Sequence, residues 1–249
     1  MTEPISSAKK LYSLLEQAWD YDENESPINV WVEVLGAKDS DDIYDKFSYL
    51  FALFNDVRND IQRIDISGKK KYLNVLNKFQ CILMSSELLN SDYSWGYIVD
   101  TTGITEETLN LIEACGDLIT SQTGGFNEIS SQELEELQKQ IRNLQDEIIN
   151  SEIDKETKIF IINELIKIEN AILNYQIIGS SGLNKVSTEV TGGIVFNWSQ
   201  MSQIAQEKGK QIIDLALKVN GMISLSEKLP KLLEGAKEVL AFLPSANGK

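Results

Sequence analysis

Apolar residues recur at spacings of three and four along most of this chain, the period of helices that each bury one face. From Ser40 onward, Ile43, Phe47, Leu50, Phe51, Phe54, Val57, Ile61 and Ile64 predict a long amphipathic helix that ends at Ser67-Gly68. A second long helix follows with Tyr72, Leu73, Leu76, Phe79, Leu83 and Leu89, and the two are expected to form a helical hairpin. Upstream, Ser26-Pro27 ahead of Val30, Trp31, Val34, Leu35 and Gly36 reads as a cap, a first-turn proline, a helix face and a glycine stop. Val30, Val32 and Val34 also alternate as a strand would, and the caps decide for helix. Residues 91–103, with Tyr93, Trp95, Gly96 and Tyr97, read as an aromatic-anchored loop. A shorter helix then starts near Thr105 and carries Leu109, Ile112 and Ile119.

In the second half, Ser130-Ser131-Gln132-Glu133 is a capping box, and Leu134, Leu137, Ile141, Leu144 and Ile148 form a heptad seam behind it. The seam is too short for a free coiled coil and is expected to pack on the next helix. Asp154 offers a fresh cap, followed by Ile159, Ile161, Ile162, Leu165, Ile166, Ile168, Ile172, Leu173, Ile177 and Ile178. Apolar residues cover more than half of that helix, so it is expected to be central and touched on several sides. Glu164 and Glu169 are expected on its narrower polar side with Lys167. Gly179-Ser180-Ser181-Gly182 interrupts the chain, and a glycine-punctuated stretch leads to a helix from about Ser199 to Asn220. Leu225, Leu229, Leu232, Leu233, Ala236, Val239, Leu240 and Leu243 predict a last amphipathic helix, bent near Pro230 and stopped by Pro244. The pattern predicts an all-α protein, an antiparallel long-helix bundle of about eight to nine helices. It divides into an acidic region 1–122 and a C-terminal region 126–249, or forms one continuous domain.

Charge adds a boundary to this picture. Residues 1–178 hold 15 Lys/Arg against 32 Asp/Glu, whereas residues 179–249 hold 8 against 6. Between Asn170 and Gln206 only Lys185 and Glu189 are charged, and four glycines fall in the stretch. Its hydropathy is average and its amides are many, so it reads as a close-packing element, expected to be buried, rather than a membrane span, which needs about 20 mostly apolar residues. The net charge of -15 disfavours direct nucleic-acid binding, which needs clustered Lys and Arg. The one basic run, Lys69-Lys70-Lys71, reads as a solvated helix start.

The absence of histidine removes Ser-His-Asp and Cys-His nucleophiles and His-containing zinc sites. Phosphate-loop patterns are missing, and the acidic run Asp20 to Glu25 puts Glu25 and Trp31 where a calcium loop needs glycine and a carboxylate. The SxxK spacings at Ser6 and Ser67 lack the motifs that accompany them in penicillin-binding enzymes. Cys81 and Cys115 both sit in apolar helical patterns and read as buried small hydrophobes of a reducing compartment.

No cofactor, metal or catalytic residue is therefore expected. The sequence points to a non-enzymatic interaction or assembly protein that binds a protein partner or itself. Phe196, Trp198 and Met201 are its candidate contact residues. A cytoplasmic location is expected, since Met1-Thr-Glu-Pro opens without a signal-peptide pattern. Abundant Ile, Asn and Lys suit an AT-rich bacterial genome. Two alternatives use other features: a membrane-active effector inserting its C-terminal segments, and an acidic inhibitor of a nucleic-acid-binding protein.

Overall fold

Ser26 and Pro27 show how local chemistry sets the elements. The Ser26 side chain accepts from Asn29 N–H, Pro27 fills the first helical position, and Gly36 turns the chain at φ 62°. In a computed structural model of the chain, which describes residues 4–39, 42–83 and 92–224, the regular elements are helical. They are α1 (Ser7–Trp19), α2 (Pro27–Val34), α3 (Asp42–Arg63), α4 (Lys69–Leu83), α5 (Trp95–Thr102), α6 (Glu106–Thr123), α7 (Ser131–Ile149), α8 (Lys155–Leu173), α9 (Tyr175–Asn197) and α10 (Gln203–Ile223). A short 3-10 turn, Trp198–Gln200, links the last two. The expected continuation of α4 to Leu89 and the predicted helix over 225–243 lie outside the described residues.

Three differences from the sequence pattern have physical causes. Residues 95–102 are helix, not loop: Ser94 caps them and Gly103 ends them at φ 63°. The first amide donors of α5 bond to an earlier loop, Trp95 N–H to Glu25 O at 2.7 Å and Gly96 N–H to Glu23 O at 2.8 Å. Those bonds satisfy groups that an isolated short helix leaves open. The Ile-rich helix stops at Leu173 instead of running to Ile178, because Asn174 leaves helical geometry. The glycine-punctuated stretch after it is helical over most of its length, with a break at Gly179.

The described chain forms two units, residues 4–125 with Gln176–Gly179, and residues 126–175 with 180–224. In the first, α1 packs on α6 and α3, and α3 pairs with α4 as expected. Leu11, Leu14, Val30, Leu50, Phe54, Leu76, Ile98 and Ile112 are at most 1% exposed. Trp31 stands edge-on to Trp95 with ring centroids 6.0 Å apart and 5.9 Å from Phe47. Burying each such side chain is worth about 1.5–3 kcal/mol. Gly116 lets α1 approach α6: a Cβ there would lie 2.7 Å from Lys9 Cγ and 3.0 Å from the Lys9 backbone nitrogen. Ser6 Oγ donates to Gly116 O at the same crossing, at 3.1 Å. Gly179 has φ 59° and ψ -168°, a region that side chains disfavour, and it lies against Lys10.

In the second unit α7 lays its seam, Leu137, Ile141, Leu144 and Ile148, on α8. Ser130 and Glu133 form the expected capping box, and Asp154 accepts from Thr157 N–H at 2.9 Å to start α8. A chain of hydrogen bonds then ties three places together. Ile129 N–H donates to the Tyr175 hydroxyl at 2.8 Å, Tyr175 pairs with Ser180 Oγ at 2.6 Å, and Ser180 Oγ donates to Asn127 O. Next to it Asn127 N–H donates to Ile223 O at 2.9 Å, and Phe126 and Ser224 form an isolated antiparallel bridge. The start of α7, the end of α8 and the end of α10 thus meet at one end of this unit.

Cys115 is buried, and burial, with Asp60 nearby, pushes its thiol up to about 12. Cys81 is exposed, contrary to expectation, because it faces away from the buried Leu76, Phe79 and Leu83 of α4. Asp60 accepts from Ser7 Oγ at 2.5 Å, and burial raises its pKa above the ordinary carboxylate value.

Replacing Tyr175 with Phe strands the Ile129 amide, leaves Ser180 with Asn127 O as its partner, and is expected to cost about 1–3 kcal/mol in urea unfolding. An unchanged midpoint would show that the hydrogen-bond chain carries no stability. Asp60, with its folded pKa raised, weakens the fold when ionised. Its contribution improves as pH falls from neutral through the folded pKa and levels off below the unfolded value. Glu133 and Asp154, whose pKa values hydrogen bonds lower, act oppositely, stabilising above their unfolded pKa and losing that as pH falls. Asp60→Asn is therefore expected to be at least as stable as the wild type at pH 7 and to lose part of the wild type's gain on acidification. A variant less stable at pH 7 with an unchanged pH slope would contradict this.

Candidate interaction surface

Helix α8 presents two unlike apolar faces. Ile161, Leu165, Ile168, Ala171 and Ile172 point inward and are buried. Ile159, Ile166 and Leu173, spaced seven apart, point outward and are 51%, 38% and 53% exposed. Asn163 and Asn170 fall between them and are exposed too, so the outer row runs Ile159, Asn163, Ile166, Asn170, Leu173 at spacings of four and three. That spacing keeps a row on one side of a helix that faces a second helix. The row spans about 21 Å at 1.5 Å per residue. As expected, the helix is touched on several sides, by α7, α9 and α10, and this outer row stays open.

The polar residues of α8 brace its flank. Glu164 was expected on the solvent side, yet it is 5% exposed. Its Oε1 takes the Lys167 ammonium at 2.9 Å, while Oε2 is buried without a partner. A Cβ at Gly193 would sit 3.2 Å from that oxygen, so glycine is what leaves room for the carboxylate against α9. Lys167 also reaches Glu189 of α9 at 3.4 Å, and the Glu164 hydrogen bond, helped by both carboxylates, raises its pKa. Glu169 is held by Gln145 at 3.1 Å and Arg142 at 3.7 Å, joining α8 to α7. These contacts fix the rotation of α8 about its axis and so fix which residues point outward.

Of the three contact residues proposed from sequence, Phe196 is 82% exposed at the end of α9. Trp198 and Met201 are 7% and 5% exposed, and they pack on Gly209 of α10, where a Cβ would lie 3.4 Å from the Trp198 ring and 3.7 Å from Met201 Sδ. They belong to the core, which leaves Phe196 at the surface. The charge-poor segment that contains them is half-buried rather than buried: Leu183, Ser187, Val190 and Ile194 are covered, whereas Lys185, Thr188, Glu189, Gly192 and Phe196 are exposed. The α8 row was missed because periodicity shows that a position is apolar and not what covers it. The signal that could have found it was the surplus of apolar positions on α8 beyond one helical face.

The cavities offer less. One between α1, α2, α4, α5 and α6, walled by Leu15, Trp19, Trp31, Phe79 and Trp95, has about 10 Å³ of room, no more than one water needs. The Trp31 and Trp95 indole N–H groups are buried without partners. A groove of about 270 Å³ between α7 and α10 is open and lined by Gln140, Gln211, Asp214 and Lys218. Among the described residues no group of three or more His, Cys, Asp or Glu side chains is placed to hold a metal ion. The acidic loop before α2 uses its groups locally: Asp22 Oδ1 accepts from Asn24 N–H at 2.8 Å and Glu25 accepts from the Asn29 amide at 2.9 Å.

No protein-family model matches the chain, and no curated protein or solved structure matches it either.

Lys167→Met leaves Glu164 buried with its charge uncompensated and is expected to cost about 1–3 kcal/mol. Adding Glu164→Gln to it is expected to restore most of the loss. A double-mutant cycle in urea with additive effects would show that the pair does not interact.

Proposed function

We propose that the chain is a non-enzymatic helical interaction protein whose docking face is the outer row of α8. The observation that carries this reading is the exposure of Ile159, Ile166 and Leu173 in register on a helix whose opposite face is packed. Covering each of these half-exposed side chains is worth about 1 kcal/mol. The row is narrow, short of the roughly 800 Å² per partner of a standard interface, so its fitting occupant is a single helix rather than a broad protein face. Asn163 and Asn170 within the row would set register, since an amide facing an apolar side chain costs stability. The finer architecture belongs to the same reading: an antiparallel bundle of long helices that holds α8 at its surface. A cytoplasmic protein of an AT-rich bacterial genome fits the composition. Among the described residues no helix is long and apolar enough to cross a membrane, and no observation favours the inserting alternative.

Changing outward residues should leave the fold intact. Ile159→Lys with Ile166→Lys is expected to shift unfolding stability by no more than about 0.5 kcal/mol per site. The same variant, recovered in native complexes from its own cells, is expected to lose the protein that copurifies with the wild type, as read by native mass. Recovery of the same complex with the doubly substituted chain would sink the proposal.

A further inference from the structure

The outer row of α8 reads the same in both directions. It runs Ile159, Asn163, Ile166, Asn170, Leu173, with an aliphatic residue at each end and in the middle and an amide in each gap. An all-apolar helix laid on it would leave both amides facing carbon, where a polar group without a partner costs stability. The better occupant carries amides of its own at the same two levels, since a side-chain amide both donates and accepts and so pairs with another. Charge narrows the choice further. The chain carries -15 overall, which favours a basic partner, yet α8 holds three lysines, Lys155, Lys158 and Lys167, against three glutamates, Glu156, Glu164 and Glu169. Beside the row the charges are already met, Lys167 by Glu164 and Glu189, and Glu169 by Arg142. This face is neutral within an acidic chain, so it gives a basic partner no advantage and its own charges do not repel a like copy.

Resting on the reading of α8 as a docking face, we infer that the occupant of its outer row is α8 of a second copy of the chain, antiparallel, with a two-fold axis at Ile166. Turning the row end for end about Ile166 sets Ile159 against Leu173 of the second copy, Ile166 against its own counterpart, and Leu173 against Ile159. Asn163 and Asn170 of the second copy come within one residue of level, about 1.5 Å along the axis, so both amide pairs can close. Each contact off the axis occurs twice, as a two-fold interface requires. The antiparallel sense also sets the positive N-terminal end of each α8 beside the negative C-terminal end of the other. The row is narrow, which puts the pairing among weak interfaces that dissociate on dilution. Self-pairing covers the same side chains that any other helix would use, so the two compete.

The test uses the full chain with Cys81→Ser, leaving Cys115 in the core, and adds one cysteine at a time by Ile159→Cys, Ile166→Cys or Leu173→Cys. In the antiparallel pair position 166 meets itself, whereas the two copies of position 159, or of 173, stand about 21 Å apart, beyond the reach of a disulfide. Mild oxidation is expected to link Ile166→Cys chains into dimers at least about tenfold faster than either end variant alone. A mixture of the two end variants is expected to link as fast as Ile166→Cys. In light scattering, the unsubstituted chain is expected to rise toward twice the monomer mass with concentration and the Ile159→Lys, Ile166→Lys chain to stay monomeric. Equal rates for the three single variants would overturn the antiparallel pairing. A chain that stays monomeric at every concentration, with no cross-link at position 166, would overturn self-association. If the lysine variant then still loses a copurifying protein of different mass, the docking face stands with another occupant. Selective linking at position 166 with an unaffected native complex keeps the pairing and places that complex elsewhere.

Discussion

One phenol hydroxyl organises the unit built from α7, α8, α9 and α10. Tyr175 accepts a hydrogen bond from the Ile129 N–H and pairs with Ser180, and Ser180 donates onward to Asn127. Tyr175, Ser180 and Ile129 are buried, so an unpaired group among them carries a desolvation cost. The bonds join segments far apart in sequence, so they specify how the start of α7 meets the junction after α8. That junction anchors the C-terminal end of α8, and the Glu164, Lys167 and Glu169 contacts along the helix set which face stays open.

Cap chemistry was the most legible part of the fold. Ser26 with Pro27, Ser130 with Glu133, and Asp154 all start helices where the sequence placed them, because a cap needs only residues three positions apart. The seam of α7 was legible for the same reason, being periodic within one element. What failed depended on residues distant in sequence. The α5 segment looked like a loop, since its aromatics and glycine carry no helical pattern and its first amides are satisfied by Glu23 and Glu25, some seventy residues upstream. Glu164 went inward because Gly193 on another helix leaves space for it. Trp198 and Met201 went inward to pack beside Gly209 of α10. For Glu164 the opening was made by a glycine on a neighbouring helix, and nothing near the buried residue announces it.

The charge-poor stretch illustrates a different limit. Few charges suggested burial, but the glycines, threonines and amides that replace them are neutral in cost at a surface as well as in a core. A helix can therefore carry them outward without losing much, and α9 does so along one side. Low charge limits what a segment can be penalised for; it does not say where the segment goes. The outer row of α8 is the converse case, because exposed aliphatic side chains carry a cost that a second helix removes.

Residues 176–179, the start of α9 up to its break, belong with the unit formed by α1 to α6, where the Gln176 amide donates to Val34 O at 3.2 Å and Gly179 lies on Lys10. Chain order and spatial order therefore interleave. During synthesis the unit formed by α1 to α6 waits for its final piece until more than fifty further residues have been added, a delay of roughly 3–11 seconds at ordinary elongation rates of about 5–20 residues per second. The two units cannot mature strictly one after the other. Through that interval the first unit lacks the four residues that complete it.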